Sequence, residues 1–287
     1  MRAKVKTEED VLKSIIEGAS NKLNTDGQLF IVTDLVRVDD YQKKLSTWWN
    51  NEKAVMLLLK TADRNEILFS VPHCHNPFGQ KYEDYKTELF TWIENFRSEN
   101  LLAVNFGYIL IKKCVQKGSY FCKTINNPNS PIYDETRSYF DTKSMLNRQN
   151  NGGMKIHIDR DLKVKTVSSF SGEFEQTDYF LTSESNPYFC EYMISKSLYD
   201  LLHQIAEMPG LIVQYSNNPV LLNLIYRGII KIEETDSFME ETHKFENLLN
   251  GFIVPETLNK KTNAEPIEII EFETKTTPTC LSAYLRQ

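Results

Sequence analysis

A chain of 287 residues with 41% hydrophobic content is long enough for one large domain or two of ordinary size, and we expect two. Its 33 basic and 39 acidic residues give a net charge of −6, which supplies no overall attraction to nucleic acid or to an anionic membrane. The N-terminus lacks a signal-peptide apolar core, and no apolar run approaches the roughly 18 residues of a membrane span. The five cysteines are scattered without a CxxC pair, as is typical of reduced thiols, so we expect a cytoplasmic protein.

The first 35 residues predict a helix followed by a buried strand. Thr7 is a good helix N-cap, and apolar residues recur at helical spacing from Val11 to Leu23. The turn at 24–27 ends that helix and leads into the run Gly27-Gln-Leu-Phe-Ile-Val-Thr-Asp34. A continuous apolar run is typical of a strand covered on both faces, as in a parallel sheet. We therefore expect part of a doubly wound α/β sheet.

Further apolar runs extend this sheet in the order helix, strand, helix, strand. The second strand is predicted to lie beside the first, because its run is again too apolar for a solvated position. The predicted elements are a helix at 39–50, a strand at 54–59, a short apolar run at 67–71, a helix at 81–98 and a long strand at 101–111.

The second half of the chain has a different organisation. Residues 114–153 are rich in turn formers and lack periodicity, so we interpret them as a linker or a long insertion. They separate an α/β half-domain at 1–113 from a smaller α+β domain at 154–255, and a polar tail occupies 256–287. In the second domain the unit at 195–233 predicts helix, turn, helix and strand, a pattern typical of winged-helix-like modules. The other expected elements are strands within 157–170 and a last helix near 236–250.

Several polar clusters could carry chemistry, and each has a plainer interpretation. The adjacent residues His73-Cys74-His75 rarely converge on one metal ion, and the sequence offers no second cluster at zinc-site spacing. His157, Asp159 and Asp161 alternate, as residues of a solvated strand edge also do. The phosphate-binding patterns GxxxxGK[ST] and GxGxxG are absent, and no GxSxG elbow occurs. The residues alone therefore predict no active site.

The segment from Val11 to Lys113 resembles the closing half of a class I S-adenosylmethionine-dependent methyltransferase domain of the small-methyltransferase type. In that family a helix leads through a Leu-x-x-Gly-Gly turn into the fifth strand, which corresponds here to Leu23-Asn-Thr-Asp-Gly-Gln-Leu-Phe-Ile-Val. Asp26 stands where the first glycine is common, and Gly27 keeps the second. The segment beginning at Val104 is similar to the antiparallel last strand of such domains, and 155–250 is similar in pattern to the helical C-terminal domain of some relatives.

The resemblance implies a Rossmann-like sheet that is incomplete. The family binds S-adenosylmethionine through its first strand, a Gly-rich turn and an acidic residue after the second strand, and an Asn-Pro-Pro-Tyr-like motif follows the fourth. All of these precede the helix that begins here at Thr7. Asn76-Pro77-Phe78 follows the fifth strand instead, so it does not take the role of that motif. The implied protein is a truncated methyltransferase, inactive as this chain alone, whose partner is the missing N-terminal half.

Two residues of this chain come nearest to a substrate under that resemblance. Ligands of α/β sheets bind at the carboxyl ends of parallel strands, which places Thr33 and Asp34 at the mouth of the substrate pocket. Asp34 is equally well interpreted as a strand-end cap. The alternative function is a non-catalytic binding or regulatory module that contacts a protein partner through the 195–233 unit.

Overall fold

The structure is a computed structural model of the full chain. It describes residues 8–74, 81–115, 117–126, 132–148, 153–171, 174–186, 189–208, 212–214 and 219–235. The chain divides into two compact units, Met1–Asn127 and Pro128–Gln287. Each unit combines helices with strands, so the protein has mixed α and β structure.

The first unit contains four helices and four strands among its described residues. The predicted helices and long strands are confirmed within a few residues of their expected ends. The helices are α1 (Glu8–Lys22), α2 (Tyr41–Trp49), α3 (Glu66–His73) and α4 (Tyr82–Ser98), and the strands are β1 (Gln28–Val36), β2 (Ala54–Lys60), β3 (Val104–Lys113) and β4 (Ser119–Thr124).

The four strands form one mixed sheet in the order β1-β3-β2-β4. The prediction that β2 lies beside β1 is wrong, because β3 lies between them and is antiparallel to both. β1 and β2 therefore run in the same direction, and β4 pairs in parallel with β2. The close approach of the strands requires Gly107, since a Cβ atom there would lie 2.2 Å from Cδ1 of Leu35.

The expectation that β1 is covered on both faces is also wrong. One face of the sheet packs against α1 and α2 in a core that includes Ile16, Leu35 and Trp49. On the other face of β1 the side chains of Phe30 and Val32 are 54% and 59% exposed. Among the described strands β1 pairs only with β3, so it is an edge strand of this sheet.

The short apolar run at 67–71 belongs to a helix. Asn65 begins α3 as an N-cap, since its side-chain oxygen accepts hydrogen bonds from the backbone nitrogens of Ile67 and Leu68. Phe69 then packs with Phe96 of α4 in a second small core over the sheet. Only one face of α3 is buried. A five-residue apolar run is too short to show the helical spacing of that face.

The segment 114–153, interpreted as a linker or insertion, holds regular structure. It contains β4, which extends the sheet of the first unit, and a helix α5 (Tyr133–Arg148) in the second. The apolar side chains of β4 are only partly buried. The strand therefore does not need the long apolar run that marks β2 and β3.

The second unit contains two three-stranded antiparallel sheets and three helices among its described residues. Its main core packs both helices of the 195–233 unit against Met154 and Ile156. The two helices expected within the 195–233 unit are confirmed, whereas the predicted helix near 236–250 and the tail at 256–287 lie outside the described residues. Besides α5 the elements are β5 (Gly153–Ile158), β6 (Leu162–Ser171), β7 (Phe174–Ser183), β8 (Tyr192–Ile194), α6 (Lys196–Glu207), β9 (Ile212–Gln214), α7 (Pro219–Tyr226) and β10 (Ile230–Thr235), with sheet orders β10-β5-β9 and β6-β7-β8.

Candidate functional site

A group of charged side chains lies where the parallel strands β1 and β2 end. Asp34 is near the carboxyl end of β1, and Arg64 follows β2 by a few residues. The backbone of Arg64 is fixed by two hydrogen bonds to Val104, which starts β3. His73 comes from the last turn of α3. Three separate elements therefore meet at the position where α/β sheets bind ligands.

Asp34 is the centre of this group, which we call the Asp34 cluster (Asp34, Arg64 and His73). One carboxylate oxygen accepts a hydrogen bond from a terminal nitrogen of Arg64. The other lies 3.6 Å from Nε2 of His73. That distance is long for a hydrogen bond and short enough for an ion pair when the imidazole is protonated. The Asp34 cluster is partly buried, so these charges are screened less than they would be at the surface.

The Phe69 ring packs against both His73 and Arg64 of the Asp34 cluster. The His73 ring stacks on Phe69 with 4.1 Å between ring centroids, and the guanidinium carbon of Arg64 lies 5.1 Å from the same centroid. Phe69 is itself held by edge contacts to Trp92 of α4 at 5.9 Å. Within the described residues the buried Nε of Arg64 has no hydrogen-bond partner. On this side the guanidinium group instead makes a cation–π interaction with the Phe69 ring.

The hydrogen bonding of His73 limits what the Asp34 cluster can do. Its Nδ1 lies 2.6 Å from the carbonyl oxygen of Phe69, and a carbonyl oxygen only accepts, so Nδ1 carries the hydrogen. Nε2 faces Asp34, which leaves neither ring nitrogen turned toward a further nucleophile. A relay of the Ser-His-Asp kind needs one such nitrogen. The arrangement is therefore suited to fixing α3 over the end of β1 and to presenting charge.

The two residues expected at the substrate mouth do not act together. Successive side chains leave a strand on opposite faces, so Thr33 and Asp34 lie on different faces of the sheet. Asp34 joins the Asp34 cluster, whereas the Thr33 hydroxyl makes a 3.3 Å contact with the carbonyl oxygen of Asp34. The sequence reasoning did not identify Arg64. It noted His73 only as part of the His-Cys-His triplet, and the position of His73 one turn after Phe69 was the available signal.

The other clusters noted in the sequence form no metal site in the described part of the chain. Cys74 is buried. Burial is the main cause that raises the pKa of its thiol, the nearby Glu88 carboxylate raises it further, and the thiol therefore stays protonated. His75 lies outside the described residues. Asp159 pairs with Lys231 at 3.3 Å, and Asp161 accepts a hydrogen bond from Ser185. These carboxylates are therefore engaged in the turn between β5 and β6.

The resemblance places the S-adenosylmethionine-binding elements before the helix predicted to begin at Thr7, and the described residues offer no replacement for them. No glycine occurs in the segments that directly follow β1 and β2, at 37–40 and 61–65. The carboxylate of Asp34 is already engaged by the guanidinium of Arg64 and lies beside the imidazole of His73. We therefore assign no cofactor contact to the described residues of this chain.

Comparison with known proteins finds no matching family model, no matching curated protein and no matching solved structure. Among the described helices, none has both the length and the apolar character needed to cross a lipid bilayer.

Proposed function

We propose that this chain is the C-terminal part of a class I S-adenosylmethionine-dependent methyltransferase, completed by a cofactor-bearing half that it does not contain. One observation carries the proposal. β1 is an edge strand with an exposed apolar face, and its only described neighbour, β3, is antiparallel to it. The resemblance calls for an antiparallel last strand at this place and for further strands on the other side of β1.

In this proposal the Asp34 cluster forms one wall of the substrate mouth. Its position at the carboxyl ends of β1 and β2 is where a substrate of a completed sheet would lie. Arg64 and His73 hold α3 in place there, and Thr33 shapes the opposite face of the same strand end. The scattered cysteines, which include no CxxC pair, support a cytoplasmic location for the assembly.

Calorimetry with S-adenosylmethionine tests this function. The purified chain alone is expected to show no binding, because the cofactor-binding strands belong to the missing half. The product of the reading frame directly upstream, co-expressed with this chain, is expected to form a complex that binds the cofactor. Tight binding by the 287 residues alone would contradict the proposal. So would an upstream product that lacks a Gly-rich strand or fails to associate.

A second candidate is a binding module that contacts a protein partner through the 195–233 unit. The observation that favours it is a partly exposed aromatic group on α6. Tyr199 stacks on Tyr179 with 4.9 Å between centroids, and Nζ of Lys196 lies 5.2 Å from the Tyr199 centroid. Tyrosines are enriched at protein interfaces. Tyr199→Ala should then abolish co-purification of the partner without changing the helix content, and unchanged co-purification would exclude this surface.

A further inference from the structure

The open side of the first unit carries exposed apolar residues on β1 and on α1, which lie on opposite faces of the sheet. On β1 these are Phe30 and Val32, and on α1 they are Val11 and Ile15, each 47% exposed. We call this set the β1 edge surface (Val11, Ile15, Phe30 and Val32). Exposed apolar side chains along an unpaired edge strand mark a place where another strand can bind.

The contacts of α1 fix which of its flanks faces outward. Glu9 forms an ion pair with Lys44, and the hydroxyl of Ser20 donates to the carbonyl oxygen of Trp49. Both contacts join α1 to α2, so Glu9 and Ser20 mark the flank that faces α2. At 100° per residue, Val11 and Ile15 lie on the flank turned away from α2. α1 itself packs with β1, since Leu12 and Ile16 share a core with Leu29 and Ile31.

The first six residues of β1 lack the devices that protect a free edge, and the one charged residue of the strand, Asp34, lies near its carboxyl end. The residues at 28–33 include no charged residue and no proline, which are the usual means of preventing strand addition. The side chains of Phe30 and Val32 leave the strand on the face opposite to α1. A strand added here would therefore set its own side chains beside those of Phe30 and Val32 on this face of the sheet.

We propose that a second copy of this chain occupies the β1 edge surface, with the two β1 strands paired antiparallel about a twofold axis. Pairing centred on Ile31 places Phe30 of each copy opposite Val32 of the other. The two α1 helices then pack antiparallel above the seam through Val11 and Ile15. The contact is self-complementary, as a twofold interface has to be.

Charge and shape on α1 favour a second copy over an unrelated partner. The first turn of α1 is acidic and its last turn carries Lys22, so antiparallel packing sets opposite charges side by side. Gly18 lies on the same flank, and a Cβ atom there would meet nothing within 4 Å. A glycine at this place leaves no side chain to hold the two helices apart.

Self-association would compete with the proposed function. The cofactor-bearing half would need the same edge of β1, so the dimer and the completed methyltransferase exclude each other. The dimer does not depend on that function, because its test uses only the purified chain and its oligomeric state.

Sedimentation equilibrium of three proteins tests this proposal: the wild type, Phe30→Lys and Phe90→Lys. Phe90 lies on α4 and is 53% exposed, which matches the 54% of Phe30 and makes it the control. The wild type and Phe90→Lys are expected to be dimers of the 33.4 kDa chain. Phe30→Lys is expected to raise the dissociation constant about tenfold or more.

Cross-linking provides a readout that does not depend on Phe30. Ile15→Cys, treated with a short thiol-specific cross-linker, should give a covalent dimer, whereas Val71→Cys on α3 should not. The proposal is overturned if the wild type is a monomer throughout the micromolar range, if the two lysine variants dissociate equally, or if both cysteine variants cross-link to the same extent.

Discussion

Asp34 is the residue through which β1, the segment after β2 and α3 are joined. Asp34→Asn keeps the shape of the side chain and removes its charge, which leaves the partly buried Arg64 guanidinium without its counter-ion. We expect a loss of about 1–2 kcal/mol in the free energy of unfolding, since the pairs are only partly buried. Urea unfolding followed by tryptophan fluorescence measures this loss, because Trp92 lies beside His73.

Asp26→Asn is the matched control for that substitution. Asp26 also pairs with a cation, at 3.3 Å from Nζ of Lys112, but its side chain is 73% exposed. Exposed ion pairs contribute little to stability, so the free energy of unfolding should change by less than about 0.5 kcal/mol. Equal losses for the two variants would show that the Asp34 cluster contributes no more than a surface pair.

At the scale of the element, Lys113 holds the end of α1 to the sheet. Its ammonium group donates to the carbonyl oxygens of Ser20 and Leu23, both at 2.9 Å, in the last turn and exit of the helix. Lys113→Met retains the length of the side chain and loses both bonds, which should cost about 1–2 kcal/mol of unfolding free energy. Chemical denaturation measures the change. Lys112→Met, one residue earlier, is the control and should be nearly neutral.

The sequence predicted the helices and strands of the first unit better than it predicted which strands pair with each other. The helix pattern beginning at Val11 and the apolar runs at 28–35 and 54–59 are confirmed as α1, β1 and β2, because each carries its periodicity within a short window. The position of β3 between β1 and β2 could not be read in the same way, since strand order is set by pairings between residues far apart in the chain.

The candidate site was predicted only in part for the same reason. Asp34 stood out because it ends an apolar run. Arg64 and His73 lie 30 or more positions later, on elements whose approach to β1 depends on β3 and α3. The exposure of Phe30 and Val32 was missed because an unbroken apolar run does not show which of its faces the rest of the chain covers.

At the scale of the whole molecule, the buried Tyr192 and the partly buried Tyr226 make stability depend on alkaline pH. Burial is the main cause that raises the pKa of Tyr192, and likewise that of Tyr226, to about 12. In the unfolded chain these phenols ionise near pH 10. Between about pH 10 and 12 the folded state binds more protons than the unfolded state. The stabilisation is therefore fully present below pH 10 and is lost as the pH rises.

This loss can be measured in the second unit by substitution. Tyr192→Phe removes one of these ionisations, so its stability should fall less steeply from pH 9 to pH 11 than that of the wild type. A shift of two units corresponds to at most about 2–3 kcal/mol. Urea unfolding followed by circular dichroism at each pH gives the slopes, and parallel slopes would show that Tyr192 ionises as freely in the folded chain as in the unfolded one.

The central claim is that β1 is an edge made to receive another strand. Hydrogen exchange with mass spectrometry at low and high micromolar concentration tests it most directly, by comparing the backbone amides of 28–36 with those of 54–60. We predict that β1 exchanges faster than β2 at low concentration and becomes protected at high concentration, while β2 is protected throughout. Protection of β1 that equals that of β2 and does not depend on concentration would contradict the claim.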